Sequence, residues 1–166
     1  DGHHPSLHGR RPGKPLCKPR PKRREAPGAV PGMLFGVEDA RNAHVTIMAY
    51  GPDEYIEFPA TNLDELPSLI DEWPVTWIDV DGSGDVATNQ RLIDIFSFHG
   101  LAIEDAVGIY QRPKVEDYDD ILFIIARMLE KNHEVRTEQI SFFVGPKYVL
   151  TIQEHPGDCL EPIRAR

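Results

Sequence analysis

The 166-residue sequence lacks the features that commit a chain to the membrane or to an oxidising compartment. It has only two cysteines, Cys17 and Cys159, too few for the disulfide framework of a small secreted domain. Its longest apolar run, at 121–126, is far shorter than the roughly 20 residues that a membrane-spanning helix needs. No basic segment followed by an apolar one opens the sequence, so no secretory signal is indicated. We therefore expect a soluble domain in a reducing, cytosolic setting.

Catalytic and metal-binding motifs are missing as well. The sequence contains no C-x-x-C, H-E-x-x-H, G-x-S-x-G or phosphate-loop pattern, and no nucleophile stands beside a base. His155 and Cys159 have the i,i+4 spacing of zinc ligands on a helix, but no further ligands lie nearby in the sequence to complete a tetrahedral site. We expect a protein that is not an enzyme.

What the sequence does have is a sharp division of charge. Residues 1–24 hold eight of the 18 lysines and arginines but only one of the 27 acids. The remainder therefore carries 10 bases and 26 acids, a balance of −16. An acidic body repels nucleic acid and attracts cations, so we expect no nucleic acid among the partners.

The basic arm, residues 1–33, is rich in proline and has almost nothing to bury. This composition predicts a flexible segment of polyproline II character. Two roles for the arm are compatible with this composition: a solvated tail, or a segment that contacts anionic lipid headgroups or RNA. One alternative for the whole chain is therefore a stand-alone acidic adaptor that docks through this arm.

Beyond the arm, the pattern of apolar residues predicts an α/β or α+β domain over residues 34–156, with helices around a mixed sheet. The predicted segments, in chain order, are strands at 44–50 and 54–60, a helix capped by Thr61 or Asn62, a strand at 75–80, a helix from 82–85 to about Phe98 that Gly100 ends, a short helix at 101–108, strands at 120–130, 137–144 and 147–154, and a helix from 157. Turns are predicted at 51–53, 132–133 and 145–146.

Residues 111–120 are predicted to be a turn-rich segment around Pro113. Pro113 should fix a turn, Arg112 and Lys114 should offset nearby acids, and Val115 should begin the packing of the next strand. No ligand-binding role for this segment follows from its chemistry.

The stretch IDVDGSGDVATNQ has the spacing of a calcium loop. Asp79, Asp81 and Ser83 occupy the first, third and fifth positions, but Gln90 stands where the loop needs a bidentate carboxylate. A predicted strand, not a helix, precedes the stretch. We interpret it as a strand-to-helix turn in which Ser83 or Asp85 caps the following helix.

Six stretches resemble, in order and spacing, the amino-terminal cytoplasmic domain of CorA-type divalent cation transporters. They are TWIDVDG (76–82), FSFHGLAIEDA (96–106), QRPKVEDYDD (111–120), EQISFF (138–143), YVLTIQE (148–154) and GDCLEPIRAR (157–166). One departure is Gly100, where the family usually has proline after the histidine. This departure should loosen the start of the short helix.

The resemblance implies a homopentamer whose cytoplasmic funnel leads to a pore. It also implies that residues 157–166 begin a long helix toward membrane helices that lie outside this sequence. The implied function is that of a regulatory, cation-sensing domain of a magnesium/cobalt transporter, on the cytoplasmic side of the inner membrane. The domain alone does not fix the ion, so a zinc-transporting member of the superfamily is an alternative.

The same resemblance implies a regulatory Mg²⁺ site, with Glu104 and Asp105 on one side and a neighbouring subunit on the other. The residues themselves agree with this, because four side chains form one apolar stripe of the short helix: Ala102, Ile103, Ala106 and Val107. The acidic pair lies off that stripe and should face outward. Carboxylate oxygens suit Mg²⁺, and we expect weak binding, with Co²⁺ or Zn²⁺ as alternatives. An ordinary solvated acidic pair is the competing interpretation.

Overall fold

The structure, a computed structural model, describes residues 42–108, 111–131, 135–157 and 159–164. The basic arm and the predicted turn at 132–133 lie outside these residues, so those predictions stay predictions. The strands are β1 His44–Tyr50, β2 Tyr55–Pro59, β3 Val75–Asp81, β4 Lys114–Tyr118, β5 Ile121–Lys131, β6 Val135–Val144 and β7 Tyr148–Gln153. The helices are a 3₁₀ turn at Leu63–Glu65, α1 Leu66–Glu72, α2 Val86–Phe96, α3 Gly100–Val107 and α4 Glu161–Arg164.

The seven described strands form one sheet in the order β2-β1-β3-β7-β6-β5-β4. Its two halves, β2-β1-β3 and β7-β6-β5-β4, are each antiparallel within themselves. A single parallel pair, β3 with β7, joins the halves at the centre. This β3–β7 pairing, called the parallel seam below, requires a crossover connection between its two strands. Helices α2 and α3 and strands β4–β6 form that connection. The mixed sheet with helices confirms the predicted α/β (α+β) fold class.

Helices α1, α2 and α3 bury one face of this sheet. The sheet contributes Val45, Ile47, Ile78, Val80, Phe123, Ile125, Phe143, Leu150 and Ile152 to the core. The helices contribute Leu66, Leu92, Ala102, Ile103, Ala106 and Val107, which include the whole apolar stripe predicted for the short helix. Burial of a side chain of leucine or phenylalanine size contributes about 1.5–3 kcal/mol, so this face holds the domain together.

Two boundaries differ from the prediction at the junction of α2 and α3. Helix α2 ends at Phe96, because Ser97 adopts a left-handed conformation with φ of 53°. Gly100 does not break this helix but is the first residue of α3. The early stop frees Phe98 to stack on Phe143, with ring centroids 4.2 Å apart. Tertiary packing of an aromatic side chain therefore explains the end of the helix better than the glycine does.

The segment predicted to be turn-rich contains the edge strand β4, so that prediction was wrong. β4 pairs with β5, and its backbone pairing overrides the low strand propensity of its charged residues. Charged side chains are common on edge strands because they discourage pairing with another chain. Val115 is 63% exposed and does not begin a packed segment. Among the described residues, no helix combines the length and the apolar character needed to cross a membrane.

Candidate metal site

Helix α3 carries the predicted pair and has a defined start despite the glycine. The His99 ring accepts a hydrogen bond at Nδ1 from the Leu101 backbone N–H, at 3.3 Å, and so caps the helix. The same ring stacks on Tyr118 of β4, with centroids 5.2 Å apart. These contacts fix the first turn of α3 against the edge of the sheet.

The structure places Glu104 and Asp105 where α3 passes beside β4, and both are half-buried. Lys114 of β4 donates to Asp105 Oδ2 at 2.6 Å, and its Nζ lies 2.7 Å from Glu116 Oε2. One ammonium therefore links a carboxylate of the helix to a carboxylate of the strand. The side chains of Asp105 and Lys114 are 25% and 27% exposed, so the pair is accessible from solvent without being fully hydrated.

The positive charge of Lys114 and the negative charge of Glu116 stabilise each other. Burial lowers the pKa of Lys114, but hydrogen bonds to Asp105 and Glu116 outweigh burial and raise the pKa above its usual value. The hydrogen bond from Lys114, followed by the one from Tyr118, lowers the pKa of Glu116. The Tyr118 hydroxyl donates to Glu116 Oε2 at 2.9 Å. Lys114 therefore stays protonated and Glu116 stays ionised near neutral pH.

A buried amide of β6 binds the backbone of α3 at Asp105 and Ala106. Gln139 of β6 donates from Nε2 to the carbonyl oxygens of Asp105, at 2.9 Å, and Ala106, at 3.3 Å. Its Oε1 accepts from the Gln111 backbone N–H at 3.1 Å. Sequence reasoning missed Gln139, because its partners lie about thirty residues away on other elements. Asp105 is thus attached to a rigid part of the sheet.

The donor set of Glu104 and Asp105 fits a hard divalent cation. Both groups offer carboxylate oxygens, which suit Mg²⁺, and neither offers the nitrogen or sulfur that softer metals prefer. Two carboxylates do not complete a coordination shell, so water or a second chain would have to supply the other ligands. The pair can contribute to a shared, weak site.

The aspartates of the calcium-like stretch are engaged in the fold instead. Asp79 is 4% exposed, accepts from Thr151 Oγ1 at 2.5 Å and pairs with Arg164 Nη1 at 3.3 Å. Asp81 accepts from Gln153 Nε2. Thr151 and Gln153 belong to β7, so these bonds join the two strands of the parallel seam. Their oxygens are bonded to protein donors and are poorly placed to bind a metal ion.

Asp85 confirms the predicted strand-to-helix turn and is its capping residue. Its carboxylate accepts from the backbone N–H groups of Ala87, at 3.1 Å, and Thr88, at 3.3 Å, and from the Thr88 hydroxyl at 3.0 Å. It also accepts from the Ala43 N–H at 2.8 Å. Burial raises the pKa of Asp85, but these hydrogen bonds outweigh burial and lower the pKa below its usual value. Gly82 supplies the turn with a φ of 114°.

A second group of ligand-type side chains lies at the end of β7. Within the described part of the chain, Glu138, Glu154 and His155 bring ligand atoms within 4.8 Å of one another. Glu138 Oε1 accepts a hydrogen bond from the His155 backbone N–H at 2.7 Å. The same oxygen lies 3.4 Å from Nδ1 of the His155 ring. Cys159, which the sequence paired with His155, is exposed and is not in this group. We interpret the group as a structural connection between β6 and the end of β7.

Comparison with known proteins identifies the family. A model of the CorA-like Mg²⁺ transporter protein family matches residues 74–166. The cobalt/magnesium transport protein CorA of Thermotoga maritima is 34% identical over 143 residues, which cover 84% of this chain and 41% of that protein. The chain thus spans less than half the length of this relative.

Solved structures show the same fold at low sequence identity. The soluble domain of CorA from Methanocaldococcus jannaschii gives a TM-score of 0.52 at 14% identity, over 75% of this chain and 44% of that one. The ZntB cytoplasmic domain from Vibrio parahaemolyticus gives 0.58 at 11% identity, over 75% of this chain and 49% of that one. Together with the family match, the seven-stranded sheet shows that the chain belongs to the CorA-like Mg²⁺ transporter family.

Proposed function

We propose that the chain is the cytoplasmic, cation-sensing domain of a magnesium/cobalt transporter and that Mg²⁺ bound at Glu104 and Asp105 contributes to gating. Membership of the CorA-like Mg²⁺ transporter family supports the assignment of the domain to a transporter. The observation that carries the sensing role is the position of Asp105, whose backbone is fixed by Gln139 while its carboxylate holds a cation, the Lys114 ammonium. A carboxylate on a fixed backbone that is balanced by an exchangeable cation is suited to bind a regulatory ion.

In this proposal the remaining ligands come from a neighbouring copy of the chain in a homopentamer. A site at ten times its Kd stabilises the bound state by only about 1.4 kcal/mol. Moving a gate from almost fully open to almost fully closed takes about 5.5 kcal/mol. Five shared sites together supply about 7 kcal/mol, which is enough. Helix α4 then begins the connection to the membrane helices.

The first test is a titration of the 166-residue chain followed by NMR. Mg²⁺, added at constant ionic strength, should shift the amides of Glu104 and Asp105 with a Kd in the millimolar range, on the order expected of loosely organised carboxylate sites. The double variant Glu104→Gln with Asp105→Asn should lose these shifts. The matched control Asp117→Asn with Asp120→Asn removes two exposed carboxylates nearby and should keep them. Shifts centred on residues 79–85 would contradict the assignment.

The second test measures flux through the transporter that contains this domain. Glu104→Ala with Asp105→Ala should leave flux at low Mg²⁺ unchanged and weaken closure at high Mg²⁺. Normal closure in the variant would remove the sensor role. A zinc-transporting member of the superfamily is the alternative, and the fold likeness to the ZntB cytoplasmic domain leaves it open, so Mg²⁺, Co²⁺ and Zn²⁺ should be compared in the same assay.

A further inference from the structure

Lys114 contacts more than the proposed metal ligand Asp105. Its Nζ lies 2.6 Å from Asp105 Oδ2 and 2.7 Å from Glu116 Oε2, so it is shared by one proposed metal ligand and one other carboxylate. It also lies 5.5 Å from the centroid of the Phe123 ring, whose face favours a cation. Short, charge-assisted bonds of this kind are the stronger hydrogen bonds of proteins.

An ammonium at this distance and a divalent ion compete for the same carboxylate. Mg²⁺ needs a ligand oxygen at about 2.1 Å, with lone pairs that point to the ion. The bond from Lys114 engages Oδ2 of Asp105, and the like charges of ammonium and metal repel across the same carboxylate. Metal binding at Asp105 is therefore opposed until Lys114 moves.

The geometry also gives Lys114 an alternative partner. Glu116 remains beside it on β4, held at Oε2 by the Tyr118 hydroxyl at 2.9 Å. A lysine that leaves Asp105 keeps this ion pair and its contact with solvent, because its side chain is 27% exposed. Displacement therefore does not require burial of an unpaired charge, which would be costly.

We propose that Lys114 is an internal competitor of Mg²⁺: its ammonium bridges Asp105 and Glu116 when no metal is bound, and its release from Asp105, with the ion pair to Glu116 kept, sets the Mg²⁺ concentration at which the site fills. This inference rests on the proposed function, because it takes Glu104 and Asp105 to be the metal ligands. It explains how a site on a rigid helix is kept weak enough to respond to changes in the concentration of a cytosolic cation.

The test compares the Mg²⁺ Kd of three variants with that of the unchanged chain in the NMR titration. Lys114→Met should tighten binding by about two- to fivefold, the upper part of the range for one solvent-accessible ion pair. Lys114→Arg keeps the charge and should stay within about twofold of the unchanged chain. Arg112→Met removes an exposed charge two residues away and should also change Kd by less than about twofold, because salt screens such charges.

A measurement on the unchanged chain avoids dependence on the folding of the variants. The side-chain Cε and Nζ resonances of Lys114 should move with the same midpoint as the amide of Asp105. If Mg²⁺ binds at Glu104 and Asp105 while Lys114→Met binds no more tightly and the Lys114 resonances stay still, the inference fails and the proposed function stands. If Mg²⁺ does not bind at this pair at all, both fail together.

Discussion

Two acidic segments of this domain look alike in sequence and differ in what their oxygens contact. Asp79, near the end of β3, accepts a hydrogen bond from a threonine of the neighbouring strand, and Asp85, after β3, accepts from backbone N–H groups of the next helix. On α3, Asp105 instead faces the flexible side chain of Lys114. A carboxylate bonded to fixed donors is part of the fold, whereas one balanced by a mobile ammonium can exchange that partner for another cation.

Among substitutions in the two acidic segments, Asp79→Ala is expected to have the largest effect on the free energy of unfolding. It should lower the free energy of unfolding by about 3 kcal/mol, because it leaves the largely buried Arg164 and the Thr151 hydroxyl without their carboxylate. Urea denaturation measures the loss. Asp117→Ala, on the exposed edge strand, should stay within about 0.5 kcal/mol of the unchanged chain. Equal losses in the two variants would show that Asp79 is not structural.

The capping residue should have the next largest effect. Asp85→Ala removes the acceptor for the first turn of α2 and should cost about 1–2 kcal/mol of unfolding free energy. Asp85→Asn keeps an oxygen acceptor and should cost less. Neither variant should change the Mg²⁺ shifts of Glu104 and Asp105. A loss of those shifts in Asp85→Asn would mean that the two segments form one cation site.

Lowering the pH should weaken the same helix cap, with a smaller effect on the free energy of unfolding. The folded-state pKa of Asp85 lies below its usual value of 3.8, so its contribution to stability is fully present above that pH. The contribution is lost as the pH falls through the folded-state pKa. The stability advantage of the unchanged chain over Asp85→Asn should therefore shrink as the pH falls below 3.8 in urea denaturation. An advantage that grows on acidification would contradict the assigned sign.

The smallest effect on stability is expected at the proposed metal site. Glu104→Gln with Asp105→Asn should change the free energy of unfolding by less than about 1 kcal/mol, since Lys114 keeps its ion pair with Glu116. The same variant should lose the stabilisation of about 1.4 kcal/mol that Mg²⁺ at ten times its Kd gives. Thermal unfolding with and without Mg²⁺ separates these outcomes, and a variant still stabilised by Mg²⁺ would place the ion elsewhere.

Local patterns were enough to predict most of the fold. The apolar stripe of α3 and the strand segments that form β1, β3 and β7 are properties of consecutive residues, and the structure confirms them. β4 was missed because the sequence KVEDY has charges where a strand in the core would have apolar residues. The end of α2 was misplaced because Ser97 carries no stop signal of its own.

The candidate site could be predicted only in part. A family resemblance pointed to Glu104 and Asp105, and nearby acids were expected to offset Lys114. No sequence pattern indicates which carboxylate Lys114 reaches, because that contact depends on how α3 lies beside the edge of the sheet. The Gln139 contact is still less predictable, since it joins strand and helix residues more than thirty positions apart.

The single parallel seam of the sheet also has a consequence for the order of folding. Each antiparallel half forms from strands close in sequence, whereas β3 and β7 are separated by the whole crossover. Non-local pairing carries the larger loop-closure cost, so we expect the seam to form after both halves. Substitutions such as Thr151→Ala should then accelerate unfolding and leave the refolding rate nearly unchanged. The β3–β7 pairing would then form last during folding and separate first during unfolding.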